Sequence, residues 1–486
     1  MLRTLIKDTA IYGLGDFIFK FIGFAIFPIY AHVFKVDEFG VMALVTTLAG
    51  LVAVLLNMGM NNAVQRFYWD PQTPEGHRPV LVSTGLWVLL TWSTLFTALV
   101  LLLLSPLRIG IQQRFDVLWI FILLSLVSNI PSEILQYSLN ILRLHFSPWL
   151  FTLVSAWRNL AGVLLGLFWV LILKKGLLGF FWGNFLGLVV AIPLGFWLIR
   201  KDLRFEFDKQ IAKEIMAFGY PFIFTGLAYW VFGSMDRWML GGLSNNTEVG
   251  LYSIASKFAT ILIFFNTAIG QAWSPFAMKL LGEDPDYRLT FSKVLSALFL
   301  GLVLIGFVVS LFGLEMLRLT TPAAYWPAAN TLSVLAMGIV LAGTTQVTAL
   351  GISIGRRTQL FATGSWIAAI LNLLLNWLMI PKWGALGAGL ATFVSYFFLS
   401  GFYLYWTQRI HPIPLQVKAL LLSLALLFFS LASSFYLNGL HWSVGILFSK
   451  IILSSLVICA VGTWVILKAF KPSELSRLLP WKKGCV

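Results

Sequence analysis

Three basic side chains stand where a bilayer tolerates charge least, and their chemistry is that of anion capture. Lys20, Arg158 and Lys257 each lie about ten residues inside a long apolar run, which at about 1.5 Å of rise per residue is close to the middle of a hydrocarbon layer about 30 Å thick. A cation at that depth costs roughly 2.5–3.5 kcal/mol on insertion scales, and residues that carry this cost face a hydrated cavity, a partner group or a transport path. Screened from bulk water, an ammonium or guanidinium makes strong charge-assisted hydrogen bonds to phosphate or carboxylate oxygens. These three are expected to line a cationic cavity that binds an anionic cargo.

The acids and amides nearby refine that chemistry. Asp16 precedes Lys20 by four residues, so the two share a helix face with Gly13 and Gly23. They form either a self-satisfied ion pair or a cavity-lining pair, and Asp16 could take up a proton or a cation. Arg158 shares a face with Ser155 and Gly162, and no acid in its own run can neutralise it. Lys257 shares a face with Ser253, Thr260 and Phe264. Glu133, Gln136 and Asn140 form a polar stripe with Ser128 and Ser132; Glu133 is either a cavity acid or a group hydrated near a membrane face. Asp236 and Arg237 stand near the end of their run, where interface exposure or a structural salt bridge accounts for them. Asn372 and Asn376 share a face and suit interhelical hydrogen bonding, while Gly162/Gly166 and Gly183/Gly187 have the spacing of close helix contacts.

The elements that must position these residues are membrane helices. The chain of 486 residues is 59% hydrophobic and 11% charged, against about a quarter charged in soluble domains. About fourteen spans are expected, near 10–34, 40–62, 80–104, 116–138, 149–172, 176–199, 215–242, 248–272, 291–314, 327–352, 361–381, 384–406, 414–437 and 444–468. The net charge of +15 does not indicate nucleic acid, because the Lys and Arg concentrate on alternate loops. By the positive-inside rule that places both termini in the cytoplasm. Basic clusters at Arg200, Lys201, Arg204, Lys209 and Lys213 and at Lys468, Lys471, Arg477, Lys482 and Lys483 suit anionic lipid headgroups. The five histidines show no metal spacing, the two cysteines carry no disulfide signal, and no Walker motif is present. Enzyme chemistry, a cofactor and a bound metal are not expected.

The chain also repeats itself. Glu38-Phe39-Gly40-Val41 opens the second span and Glu248-Val249-Gly250-Leu251 the eighth, about 210 residues on; Lys174-Lys175-Gly176-Leu177-Leu178-Gly179 and Lys382-Trp383-Gly384-Ala385-Leu386-Gly387 match at nearly the same offset. The expected architecture is all-α and polytopic. An N-lobe of six helices spans 1–200 and a basic cytoplasmic linker spans 201–213. A C-lobe of six helices spans 214–410, two extra helices 411–470, and a basic tail 471–486. An even number of spans per copy implies a parallel repeat about an axis along the membrane normal, with a mid-membrane site and alternating access.

Gly219 to Ile261, with Pro221, Asp236-Arg237, Glu248-Val249-Gly250-Leu251-Tyr252-Ser253 and Lys257, resembles the seventh and eighth spans of Wzx-type polysaccharide-repeat-unit flippases. These belong to the multidrug/oligosaccharidyl-lipid/polysaccharide exporter superfamily. Glu38-Phe39-Gly40, Gln65-Arg66-Phe67-Tyr68, and Asn372, Asn376 and Ile380-Pro381 leading to Gly384, Gly387 and Gly389 are similar to that family too. The likeness runs through the first twelve spans and makes Arg66, Asp236, Arg237, Asn372 and Asn376 secondary site candidates. It implies two six-helix lobes plus two helices in a bacterial inner membrane. It also implies a cargo, an undecaprenyl-pyrophosphate-linked oligosaccharide for O-antigen or similar surface glycans, with polysaccharide polymerase and chain-length proteins as partners. Coupling would come from a proton, sodium or the membrane potential, the last worth about 2.3 kcal/mol per charge per 100 mV. A lipid II flippase and a multidrug antiporter of the same superfamily are the alternatives, with a non-transporting scaffold third.

Overall fold

In the computed structural model the described residues are 22–70, 74–283, 285–355, 357, 359–440 and 442–464. Among them the regular structure is helical. The first ten helices are α1 (Ile22–Val33), α2 (Val36–Asn57), α3 (Met60–Tyr68), α4 (Arg78–Leu104), α5 (Arg108–Phe115), α6 (Trp119–Leu144), α7 (Pro148–Leu167), α8 (Gly176–Ile199), α9 (Lys209–Gly219) and α10 (Pro221–Leu243). There follow α11 (Asn246–Glu283), α12 (Tyr287–Leu311), α13 (Gly313–Thr320), α14 (Ala328–Thr348), α15 (Leu350–Ile354), α16 (Gln359–Ile410), α17 (Val417–Gly439) and α18 (Val444–Trp464).

Among the described residues, 12 helical segments are long and apolar enough to cross a bilayer. They correspond to the expected runs with two differences. The first run, 10–34, is described only from residue 22, as α1. The eleventh and twelfth form the 52-residue α16, which is two helices across a break at Gly384, where φ is 52° and ψ is −129°. Gly is needed there for its left-handed φ, and a Cβ would also overlap the Glu248 carboxylate.

The chain packs as two compact units. Unit 1 holds the described residues up to Ser253 together with Asn376–Gly384; unit 2 holds Ile254–Leu375 and the described residues from Ala385 onward. In unit 1, α6 is the central helix, and its polar stripe works as glue between helices. Asn129 Nδ2 donates to Ala49 O of α2 at 2.9 Å, Tyr137 OH to Val82 O of α4 at 2.7 Å, and Asn140 Nδ2 to Asn61 O of α3 at 3.2 Å. Each bond satisfies a group that hydrocarbon would otherwise leave unpaired. The glycine spacing is realised in the seam between α7 and α8. A Cβ on Gly183 would overlap Gly166 Cα, and one on Gly187 would overlap Gly162 Cα, so the two backbones touch directly.

The offset of 210 residues reappears as geometry within unit 1. A Cβ on Gly40 would overlap the Asn246 carbonyl oxygen, and one on Gly250 the Val36 carbonyl oxygen. The four residues pair under that same offset, so the two helix starts meet in a reciprocal contact. Capping follows suit, with Lys35 N donating to Glu38 Oε2 at 2.8 Å and Glu248 N to Asn245 Oδ1 at 2.9 Å.

In unit 2, α14 is enclosed by α12 and α17. Ser333 and Ser434 lie 2.6 Å apart, and both hydroxyls donate to Ser310 O at 3.0 Å. Small hydroxyls let these helices approach closely while staying hydrogen-bonded.

Candidate functional site

Arg158 lies near the middle of α7, and the structure turns it toward α6. Its Nη2 donates to Ser132 Oγ at 3.3 Å. Glu133, the next residue of α6, feels the guanidinium charge without forming a direct ion pair. Glu133 is 9% exposed and accepts from Asn57 Nδ2 of α2 at 2.8 Å. Of the two positions the sequence left open for this carboxylate, hydration near a membrane face does not hold: the last turn of α2 covers it, and Asn57 supplies a hydrogen bond. Among the described residues Ser132 is the acceptor Arg158 uses, which leaves most of the guanidinium's donors for an oxyanion.

Lys257 belongs to unit 2 and is exposed on α11. Lys20 and Asp16 lie outside the described residues, as do Gly13 and the tail 471–486.

Asp236 is not an interface group. It is 2% exposed and accepts from Asn376 Nδ2 at 2.6 Å and from the Tyr252 hydroxyl. Three segments of unit 1 thus converge on one carboxylate: α10, the start of α11, and the part of α16 before Gly384. Arg237 Nη1 donates to Gly233 O at 3.0 Å, and its guanidinium lies 5.5 Å over the Tyr252 ring, the arrangement of a cation–π contact. Asn372, one turn before Asn376, belongs to unit 2, where it donates to Thr392 Oγ1 at 3.4 Å. The shared face of the two amides hides different roles. Arg66 lies on α3 with its side chain 60% exposed, 3.8 Å from Asp70.

One ionic group escaped the sequence reading. Lys450 of α18 is fully buried, with Nζ 2.9 Å from both Glu315 oxygens and 2.9 Å from Asn438 Oδ1. The signal was available: a lysine six residues into an apolar run is as anomalous as Arg158. Beside this pair, Arg318 lies between Trp326 and Trp442, 4.3 Å and 4.9 Å from their ring centroids. Among the described residues no group of His, Cys, Asp and Glu is arranged to hold a metal ion.

Apolar helices in this number, with ionisable groups bonded between them, define a polytopic membrane protein. The fold is similar to that of the lipid II flippase MurJ in an inward closed conformation, with a TM-score of 0.71 at 14% identity, covering 93% of this chain and 98% of that one. A family model described as polysaccharide biosynthesis protein matches residues 5–281, and the MatE model matches 221–378. The chain belongs to the polysaccharide biosynthesis protein family of the multidrug/oligosaccharidyl-lipid/polysaccharide exporter superfamily. Among its relatives are capsular polysaccharide biosynthesis protein CapF of Staphylococcus aureus, 25% identical over 44% of this chain and 56% of that one, and a probable low-salt glycan biosynthesis flippase, Agl15, of Haloferax volcanii, 21% identical over 43% and 45%.

Proposed function

We propose that this chain flips undecaprenyl-pyrophosphate-linked oligosaccharide repeat units from the cytoplasmic to the periplasmic leaflet by alternating access, for surface polysaccharide biosynthesis. It sits in a bacterial cytoplasmic membrane with both termini inside, and hands its cargo to a polymerase and chain-length machinery. The observation that carries the reading is Arg158: a guanidinium deep in the membrane whose bonded neighbour is a neutral hydroxyl, with Glu133 near enough to steady it but not to consume it. A pyrophosphate could not cross hydrocarbon unpaired. Arg158, with Lys20 and Lys257 from other spans, receives it while the polyprenyl tail stays in the lipid. Asp16 and Glu133 are the acids available for coupling to protons or sodium.

The test is export. Arg158→Ala and Lys257→Ala abolish surface glycan at unchanged membrane levels of protein, and wild-type glycan in both would refute the assignment. Arg158→Lys retains partial export if charge suffices and little if paired phosphate bonds are needed. The MatE match over 221–378 favours a second reading, export of organic cations. Drug susceptibility of a deletion strain separates the two, and lethality of the deletion would instead indicate a peptidoglycan precursor as cargo.

A further inference from the structure

We propose that a cleft between α3 and the α9–α10 junction of unit 1 is a docking site for the phosphorylated sugar head group of the lipid-linked cargo, used before the cargo reaches the deep cations; this rests on the flippase reading above. Asn62, Gln65, Arg66 and Trp69 fall at positions i, i+3, i+4 and i+7 of α3 and its cap, so they form one stripe. They face Phe218 and Phe222 across a cleft of about 510 Å³. That is space for a saccharide with its phosphate, within the range of about 300–1,000 Å³ usual for small-ligand sites.

The lining is matched to such a ligand. The side-chain amides of Asn62 and Gln65 make no hydrogen bond to other described residues, so their donors and acceptors are available to sugar hydroxyls. Arg66 is held by only a long, exposed contact to Asp70, which a phosphate could readily displace. Trp69 offers a ring already fixed in place. The Arg78 guanidinium lies 5.0 Å from its centroid, and the Phe146 ring lies 5.9 Å away. Arg78 is in turn tied to Glu75 at 3.2 Å. A pre-set aromatic face is the usual platform for the apolar face of a pyranose. On the opposite wall Phe218 packs edge-on against Phe67 at 5.9 Å and beside Phe222 at 5.8 Å.

The cleft is also at the right end of unit 1. The helix ends and connections at this end of unit 1 bear Arg66, Arg78, Arg143, Arg200, Lys201, Arg204, Lys209 and Lys213. They are tied together by His145 to Asp202 at 3.0 Å, by Tyr68 to His145 at 3.2 Å, and by Arg204 N to Ser83 Oγ at 2.7 Å. A basic end is the cytoplasmic end, the face from which a lipid-linked precursor must be taken up.

The experiment uses the full chain in nanodiscs of neutral lipid with three probes: farnesyl diphosphate, farnesyl-diphospho-N-acetylglucosamine and phosphatidylglycerol. The sugar-bearing probe binds best. Trp69→Ala and the pair Asn62→Ala/Gln65→Ala weaken it about tenfold and leave farnesyl diphosphate within about twofold, whereas Arg66→Ala weakens both diphosphates about tenfold. Trp69→Phe and Arg66→Lys recover part of the loss and show that the fold persists, as does an unchanged thermal midpoint. Equal binding of phosphatidylglycerol would make the cleft a lipid anchor and overturn the proposal. So would wild-type affinity in every variant. Glycan export by the wild type together with unaltered binding in the variants removes the cleft assignment alone; absence of export by the wild type removes the flippase reading as well.

Discussion

Replacing Lys450 by methionine tests how the last helix is held. The substitution keeps the length of the side chain and removes three contacts at 2.9 Å: two to Glu315 and one to Asn438. The ammonium is fully buried and the Glu315 side chain is 10% exposed, so little solvent screening dilutes the effect. Breaking a buried pair from one side strands the other charge and costs about 3–5 kcal/mol. For a unit of this size that is a fall of roughly 6–20 °C in thermal midpoint. Removing both charges, as Lys450→Met with Glu315→Met, strands nothing. The double variant should therefore recover most of the loss, with a coupling of about 3 kcal/mol between the sites. Thermal unfolding of the four purified proteins in detergent, followed by light scattering, reads this directly. A loss below about 1 kcal/mol in Lys450→Met, or a double variant as unstable as the sum of the singles, would refute the argument that the pair is a closed, desolvated unit.

Three further outcomes follow from the geometry. Gly183→Ala and Gly187→Ala each force α7 and α8 apart and cost about 1–3 kcal/mol; because both lie in one seam, the double variant loses less than the sum, measured as thermal midpoints. Asp236→Ala releases two donors at once and destabilises unit 1 more than Tyr252→Phe, which forfeits one bond to a charged group, about 1.5–3 kcal/mol; unfolding midpoints rank the two, and the reverse order would refute the hub. His145 has its pKa raised, chiefly by the hydrogen bond to Asp202 and against the opposing effect of burial. Its pairing therefore stabilises fully below the unfolded value near 6.5 and is lost as pH rises through the higher folded value. The midpoint difference between wild type and His145→Gln should be largest at about pH 6 and fade in alkali; a difference that grew with pH would contradict the sign.

The spans were legible because hydrophobic length is a one-dimensional property. A run of apolar residues reads as a membrane helix wherever its neighbours stand, so eleven of the fourteen expected runs appear as separate helices among the described residues. Depth is likewise linear, which is why the position of Arg158 near the middle of α7 is legible from the sequence. The direction in which a residue points is not linear in the same way. Asp236 and Asn376 are 140 residues apart, and nothing in either run says that one carboxylate serves both. Asn372 and Asn376 are equivalent by helical spacing, yet Asn376 donates to Asp236 in unit 1 while Asn372 donates to Thr392 in unit 2, and only the partners on other helices tell them apart. The two positions open to Glu133 could not be separated for a related reason, since its cover comes from Asn57 across a helix interface that the sequence does not display. Lys450 and Glu315 are 135 residues apart; the lysine stands out within its apolar run, but nothing in the sequence names Glu315 as its partner.

The mirrored contact of Gly40 with Asn246 and of Gly250 with Val36 bears on ancestry. Two copies of a half-length protein, associating about a two-fold axis, would form this junction twice by symmetry, each lending the other a carbonyl oxygen and an unadorned α-carbon. Joining the copies in tandem would have required no fresh interface here, only a tether. Later divergence could then recast nearly every neighbouring side chain, but each half remained bound to keep its glycine for as long as its twin's backbone pressed against it.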